Sequence, residues 1–292
     1  MPHINDAHCH FFSTPFFASL GGDRALATLG WEAPGPPETL ADRWVAELDR
    51  EGVSRAALIA SAPGDAASVA AALRAHRDRF VGFFMVDPTR PDAAKAAADT
   101  MDRDGLRTMC LFPAMHRYAM QDERVRPIFD VAAARPGTAV FVHCGVLSVG
   151  VRKKLGLPSP FDIRFGNPLD LHGLALAYPD VPIIIPHFGA GMFREALMVA
   201  DLCPNILFDS SSSNGWMKYT PGLTLSAVFR QALSVVGPDR ILFGTDSSFF
   251  PRGWVRSVYA AQSAALDGIG AGADVREKIF AGNFDRVFPT DD

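Results

Sequence analysis

The sequence predicts a (β/α)8 barrel forming one domain over residues 1–292. Three observations lead there. Short β-branched and aromatic runs alternate with Ala-rich or amphipathic stretches, the pattern of a parallel sheet with crossover helices. Each kind of segment occurs eight times, which is the number that closes a barrel. Neither the glycine-rich first turn nor the topological switch point of an open doubly wound sheet is visible.

Taken in order, the predicted strands are 4–8, 54–60, 80–86, 106–112, 138–143, 181–187, 205–210 and 240–246. The predicted helices are 39–51, 65–78, 91–103, 122–135, 169–178, 191–202, 223–236 and 254–267. Turn residues mark several boundaries: Asp87-Pro88 ends the third strand, Pro136-Gly137 introduces the fifth and Gly237-Pro238-Asp239 leads into the eighth. A final helix over 274–288 is expected to close the bottom or side. Three stretches do not fit the repeating unit: 11–37, rich in Phe, Gly and Pro; 144–168, carrying Arg152, Lys153, Lys154 and Arg164; and 211–222, with a serine run, Asn214 and Trp216. Each follows a strand, so each is expected on the catalytic face, and loops of this length are commonly functional.

Composition narrows the function classes. The chain is 48% hydrophobic with a net charge of −4 and both signs dispersed, unlike the basic stripe of a nucleic-acid binder. No apolar run approaches the roughly 18 residues of a membrane-spanning helix, and the N-terminus shows no cationic and apolar secretion signal. The expectation is a cytoplasmic protein with no nucleic-acid or membrane partner. Cys9, Cys110, Cys144 and Cys203 form no CxxC pair, which suits reduced thiols. Cys9 and Cys144 adjoin candidate metal histidines and should face away from them, because neighbours in a strand point oppositely.

Five residues carry the chemistry. His8 and His10 stand two apart at a strand end and project to one face, the barrel interior. His143 ends strand five in Val-Phe-Val-His-Cys-Gly, His187 ends strand six in Ile-Ile-Ile-Pro-His-Phe-Gly, and Asp246 ends strand eight in Ile-Leu-Phe-Gly-Thr-Asp. Closure of the sheet brings these ends around one opening. Imidazole nitrogen with carboxylate oxygen is the donor set of catalytic zinc and similar divalent ions. A lone histidine after a strand is usually a hydrogen-bonded core or cap residue. Four of them sharing one rim is a different matter. The remaining His3, His76, His116 and His172 are expected to be solvated, with His116 and His172 able to reach the pocket.

Asp6-Ala-His8-Cys-His10-Phe, His143, Pro186-His187-Phe-Gly-Ala-Gly, Phe243-Gly-Thr-Asp246 and Ile279-Phe-Ala-Gly-Asn283 together resemble the amidohydrolase superfamily. Within it they look like the amidohydrolase-related branch that contains aminocarboxymuconate-semialdehyde decarboxylase. The resemblance spans nearly the whole chain. It implies His8, His10, His143 and Asp246 as metal ligands, Asp246 and His187 as catalytic groups with a ligand role as the second reading for His187, and one divalent ion, Zn2+ by default with Mn2+ as the alternative. Strand four, Arg107-Thr-Met-Cys-Leu-Phe-Pro113, offers no lysine or acid at its end, so a mononuclear site is expected.

The leading functional expectation is a metal-dependent hydrolase acting on a small, carboxylate-bearing lactone, amide or ester. A non-oxidative decarboxylase of an aromatic or unsaturated carboxylate is the alternative. A non-catalytic ligand-binding barrel is the third reading, disfavoured because every site position is filled. Arg164, flanked by Phe161, Ile163 and Phe165, is the expected anion contact. Phe12, Trp216 and Asn214 are the other expected substrate contacts. Ala-rich helices would permit a homodimer.

Overall fold

The computed structural model describes residues 3–212 and 214–290; Met1, Pro2, Ser213 from the serine run, Asp291 and Asp292 lie outside the described residues. Eight parallel strands follow one another in chain order: β1 (Asn5–Phe11), β2 (Arg55–Ala60), β3 (Phe80–Val86), β4 (Thr108–Leu111), β5 (Ala139–Val142), β6 (Ile183–Ile185), β7 (Ile206–Asp209) and β8 (Ile241–Leu242). The ring closes between β8 and β1. The Ala7 N–H donates to the Phe243 carbonyl at 2.8 Å, and the Asp246 N–H to the His8 carbonyl at 2.9 Å. The barrel expectation holds.

Two apolar layers support it. Alternate residues such as Ala57, Ile59, Val81, Phe83, Ala139, Phe141, Leu207 and Leu242 fill the barrel interior. The other parity packs beneath the helices, where Cys9 and Cys144 are found with Phe11, Val140 and Phe208. All four cysteines are buried and unpaired. Interior parity then runs on toward the mouth, so Ile59 leads to Ser61, Phe141 to His143 and Leu207 to Asp209. In β1 the register shifts between Asp6 and Cys9. Such a bulge re-aims side chains at a barrel rim, and here Ala7, His8 and His10 all face inward.

The first crossover helix, Pro37–Glu51, starts on a proline, which pre-sets the helical φ, and stops at Gly52 in the left-handed conformation. Some predicted boundaries move. β8 ends at Leu242 rather than 246, because the next amides turn to β1: the Thr245 N–H goes to Asp6 Oδ1 at 3.1 Å. Helix 122–135 shortens to Arg126–Ala133, since an Asp122–Arg124 turn occupies its start. Helix 169–178 splits into a 3-10 turn opened by a proline, Pro168–Leu171, and a short helix, His172–Ala177.

The expected closing helix is three pieces: Ala273–Glu277, a π turn over Lys278–Gly282, and Asn283–Val287. Asn283 donates from Nδ2 to the carbonyls of Pro238 and Ile241 at 2.7 and 2.8 Å, tying this segment to the foot of β8. Phe284, Val287 and Phe288 thereby join the interior layer and plug the floor. Burying each such side chain contributes about 1.5–3 kcal/mol. No helix long and apolar enough to cross a membrane is present among the described residues.

Candidate metal centre

His8, His10, His143, His187 and Asp246 line one cavity of about 560 Å3 at the C-terminal mouth of the barrel. His8, His10 and Asp246 form its tight centre. His8 Nε2 lies 3.3 Å from His10 Nε2 and 3.6 Å from Asp246 Oδ1, and His10 Nε2 lies 3.1 Å from the same oxygen.

The hydrogen-bond partners fix which nitrogen carries each proton. The His8 Nδ1–H donates to Asp209 Oδ2 at 2.6 Å. Ser61 spends its hydroxyl proton on the Ile59 carbonyl at 2.9 Å, so its Oγ accepts from the His10 Nδ1–H, also at 2.9 Å. Both Nε2 atoms therefore face a carboxylate oxygen, and with the Nδ1 protons held by Asp209 and Ser61 they are the ring atoms available to a cation. A tetrahedral zinc with donors at about 2.0–2.1 Å would separate them by about 3.3 Å. The group fits a cation. Burial opposes charge on His8, yet the neighbouring carboxylates of Asp209 and Asp246 outweigh it and raise its pKa. Asp246 is held well below the usual carboxylate range: burial opposes this, but the His10 hydrogen bond and the nearby His8 and His187 prevail.

His187 stands beside this centre, with its ring centroid 5.0 Å from that of His8. It has a left-handed backbone, φ 56°, in a tight turn after β6. The Ser211 carbonyl, 3.2 Å from His187 Nδ1, can only accept, so the proton sits on Nδ1 and Nε2 is free. Burial lowers the His187 pKa, which keeps this ring neutral. His143 is also buried and its pKa lies well below the ordinary value, through burial and then the adjoining histidines. It faces the same cavity but is not in the tight group, and its Nδ1 has no hydrogen-bond partner among the described residues.

A layer of supporting groups stands behind these residues. Asp209 orients His8 and also accepts the Ser211 N–H at 2.7 Å. Ser211 Oγ lies 2.9 Å from Nδ1 of both His8 and His187. Gly244 is obligatory beneath them, because a Cβ there would come within 2.7 Å of Asp209 Oδ1 and 2.9 Å of the His8 Cβ. Asp6 is fully buried and accepts from the His8 N–H, Thr245 and Trp254 Nε1. Burial outweighs those donors and pushes it up to about 6. An acid closing a buried strand, as in Leu207-Phe-Asp209-Ser, was the available signal for Asp209.

The expected substrate contacts divide. Phe12 lines the cavity. Arg164 does not: its side chain is 84% exposed and paired with Asp162 at 2.6 Å, since Asp162 caps the 3-10 turn that carries it. Trp216 packs into the helical layer against Phe193 rather than into the cavity. Asn214 lines a smaller cleft on the other side of Asp246. Of the basic residues on that loop, Lys154 is the one that reaches the cavity, and Arg252, from the loop after β8, joins it. The expectation for His116 is corrected as well. It is mostly buried near Asp87, and burial lowers its pKa.

These features define a parallel (β/α)8 barrel with a metal-capable His-His-Asp group at its mouth. The amidohydrolase family profile matches residues 6–290, and the chain belongs to that family. No curated protein matches the sequence. Among solved structures, the fold is shared with 5-carboxyvanillate decarboxylase from Sphingomonas paucimobilis, at 17% identity and TM-score 0.66 over 100% of both chains. A probable 2-pyrone-4,6-dicarboxylic acid hydrolase from Acinetobacter baumannii, with citric acid bound, matches at 14% identity and TM-score 0.66, covering 98% of this chain and 99% of that one. An amidohydrolase from Burkholderia multivorans with bound zinc matches at 15% identity and TM-score 0.62, covering 99% and 100%.

Proposed function

We propose that the protein is a mononuclear metal-dependent hydrolase of a small anionic lactone, amide or ester. The observation that carries this is the convergence of two imidazole Nε2 atoms and one carboxylate oxygen within a few ångströms of one another. His8, His10 and Asp246 would hold the ion, and His143 is the buried imidazole available to complete the shell. Zinc suits this donor set, with manganese as the alternative. A divalent ion bound there would lower the pKa of water toward about 7 and polarise a carbonyl oxygen.

The chain's own groups supply the rest. Asp246 and His187 are the two acid–base groups able to take the proton of the attacking water. His187, neutral and with Nε2 free, can take the water proton on Nε2 and then return that same proton to the leaving oxygen or nitrogen as the acyl bond breaks. Phe12, Phe112 and Phe141 exclude bulk water around the carbonyl. Those aromatic walls also favour a second reading, in which a ring carboxylate is protonated at carbon and then releases CO2. The same two acid–base groups would serve. Four unpaired thiols support a cytoplasmic location. Homodimerisation is a further proposal, to be tested by sedimentation.

Metal analysis of purified protein, followed by lactones, amides and aromatic carboxylates assayed with and without chelator, tests the reading. Acid release without CO2 supports hydrolysis, and CO2 release supports the decarboxylase. His8→Ala and Asp246→Ala should each empty the site and abolish turnover. The loss should reach about a thousandfold, since such an ion supplies several kcal/mol to the transition state. His187→Ala should keep most of the metal and lose turnover; an empty site in that variant would overturn its assignment.

A further inference from the structure

The cavity has two unlike ends. Around the metal-capable centre its walls are apolar, and Asp246 is the one carboxylate lining it among the described residues. At the mouth two cations overhang it, Lys154 and Arg252, both exposed. Neither has a carboxylate partner among the described residues, in contrast to Arg43, Arg50 and Arg164, which pair with Glu32, Glu47 and Asp162. Lys154 is nonetheless positioned. Its Nζ sits 5.0 Å over the Trp31 ring, and Trp31 stacks on Phe250 and meets Phe17 edge-on. Trp31 belongs to the loop after β1 and Lys154 to the loop after β5. These strands are diametrically opposed in an eight-membered ring, so the contact spans the mouth.

We propose that Lys154, seated on Trp31 and joined by Arg252, is the specificity-determining residue for a second anionic group on the substrate, remote from the reacting carbon. This rests on the reading of the inner site given above. A substrate that fits has a carbonyl or carboxylate at the histidine end, a flat apolar body along the Phe walls, and a further carboxylate at the mouth. An exposed cation–π contact contributes about 0.5–1 kcal/mol, enough to aim the ammonium yet weak enough to yield to a carboxylate, whose charge-assisted hydrogen bond is stronger.

Calorimetric binding of isophthalate, benzoate and benzamide to the metal-loaded protein tests this without turnover. Wild type should prefer isophthalate over benzoate by about tenfold, a preference that shrinks with added salt because the mouth is exposed. Lys154→Met should erase the preference, Lys154→Arg should retain it, and Trp31→Leu should reduce it. Equal binding of the two acids to wild type, or a tenfold preference surviving in Lys154→Met, would overturn the assignment. Metal content measured on the same samples keeps the two readings apart: an ion-free wild type sinks the metal reading, whereas the ranking of probes judges the mouth.

Discussion

The two sides of the barrel rim are built differently. Where β8 meets β1, both histidines are braced: His8 by Asp209, His10 by Ser61, and the His8 backbone N–H by Asp6. Across the barrel at the end of β5, His143 is equally buried but its Nδ1 has no partner among the described residues. One side is pre-organised and the other can adjust. A buried polar atom without a partner costs about 1–3 kcal/mol, and that cost is relieved if an ion, water or substrate group takes up the contact.

The contrast can be broken most sharply at Asp209. Asp209→Asn removes the charged acceptor that fixes the His8 tautomer, and metal affinity should fall about 10–100-fold, as measured by competition with a chromophoric chelator. Next in size, Gly244→Ala drives a methyl against Asp209 and His8 and should cost about 1–3 kcal/mol, read as a lowered Tm. On the other side, His143→Ala should weaken metal binding by less than the Asp209 change. A larger loss there would make the two sides equivalent.

The smallest expected effect is in pH dependence. Burial lowers the His187 pKa, so the neutral ring persists below the ordinary histidine value of about 6.5. In the proposed mechanism the deprotonated ring is the active form. The acid limb of kcat/KM should therefore fall below pH 6.5, with activity lost as pH drops and not as it rises. An acid limb above that value would contradict the lowered His187 pKa or its role as the base.

Much of the architecture and the inner site could be read from the chain, because both rest on periodicity. Alternation gave eight strands, and period two placed His8 with His10 and put His143, His187 and Asp246 at strand ends. The failures share a cause: they depend on loop paths. Arg164 looked half-buried among Phe161, Ile163 and Phe165, yet its turn is capped by Asp162, which captures the guanidinium. Trp216 looked like a pocket wall because it follows β7, but the 3-10 turn Gly215–Tyr219 lays it into the helical layer. Asp209 and Ser211 escaped notice since their role is to hold other side chains, and no spacing announces that.

Asp6 joins Thr245 and Trp254, near the end of the chain, to the backbone of His8, near its beginning. The seam of the ring and the cradle for the ion are therefore one structure. A folding intermediate with β8 undocked would lack Asp246 opposite the two imidazoles, so the capacity to capture a cation should appear only in the last step of assembly, as a timestamp of completed folding.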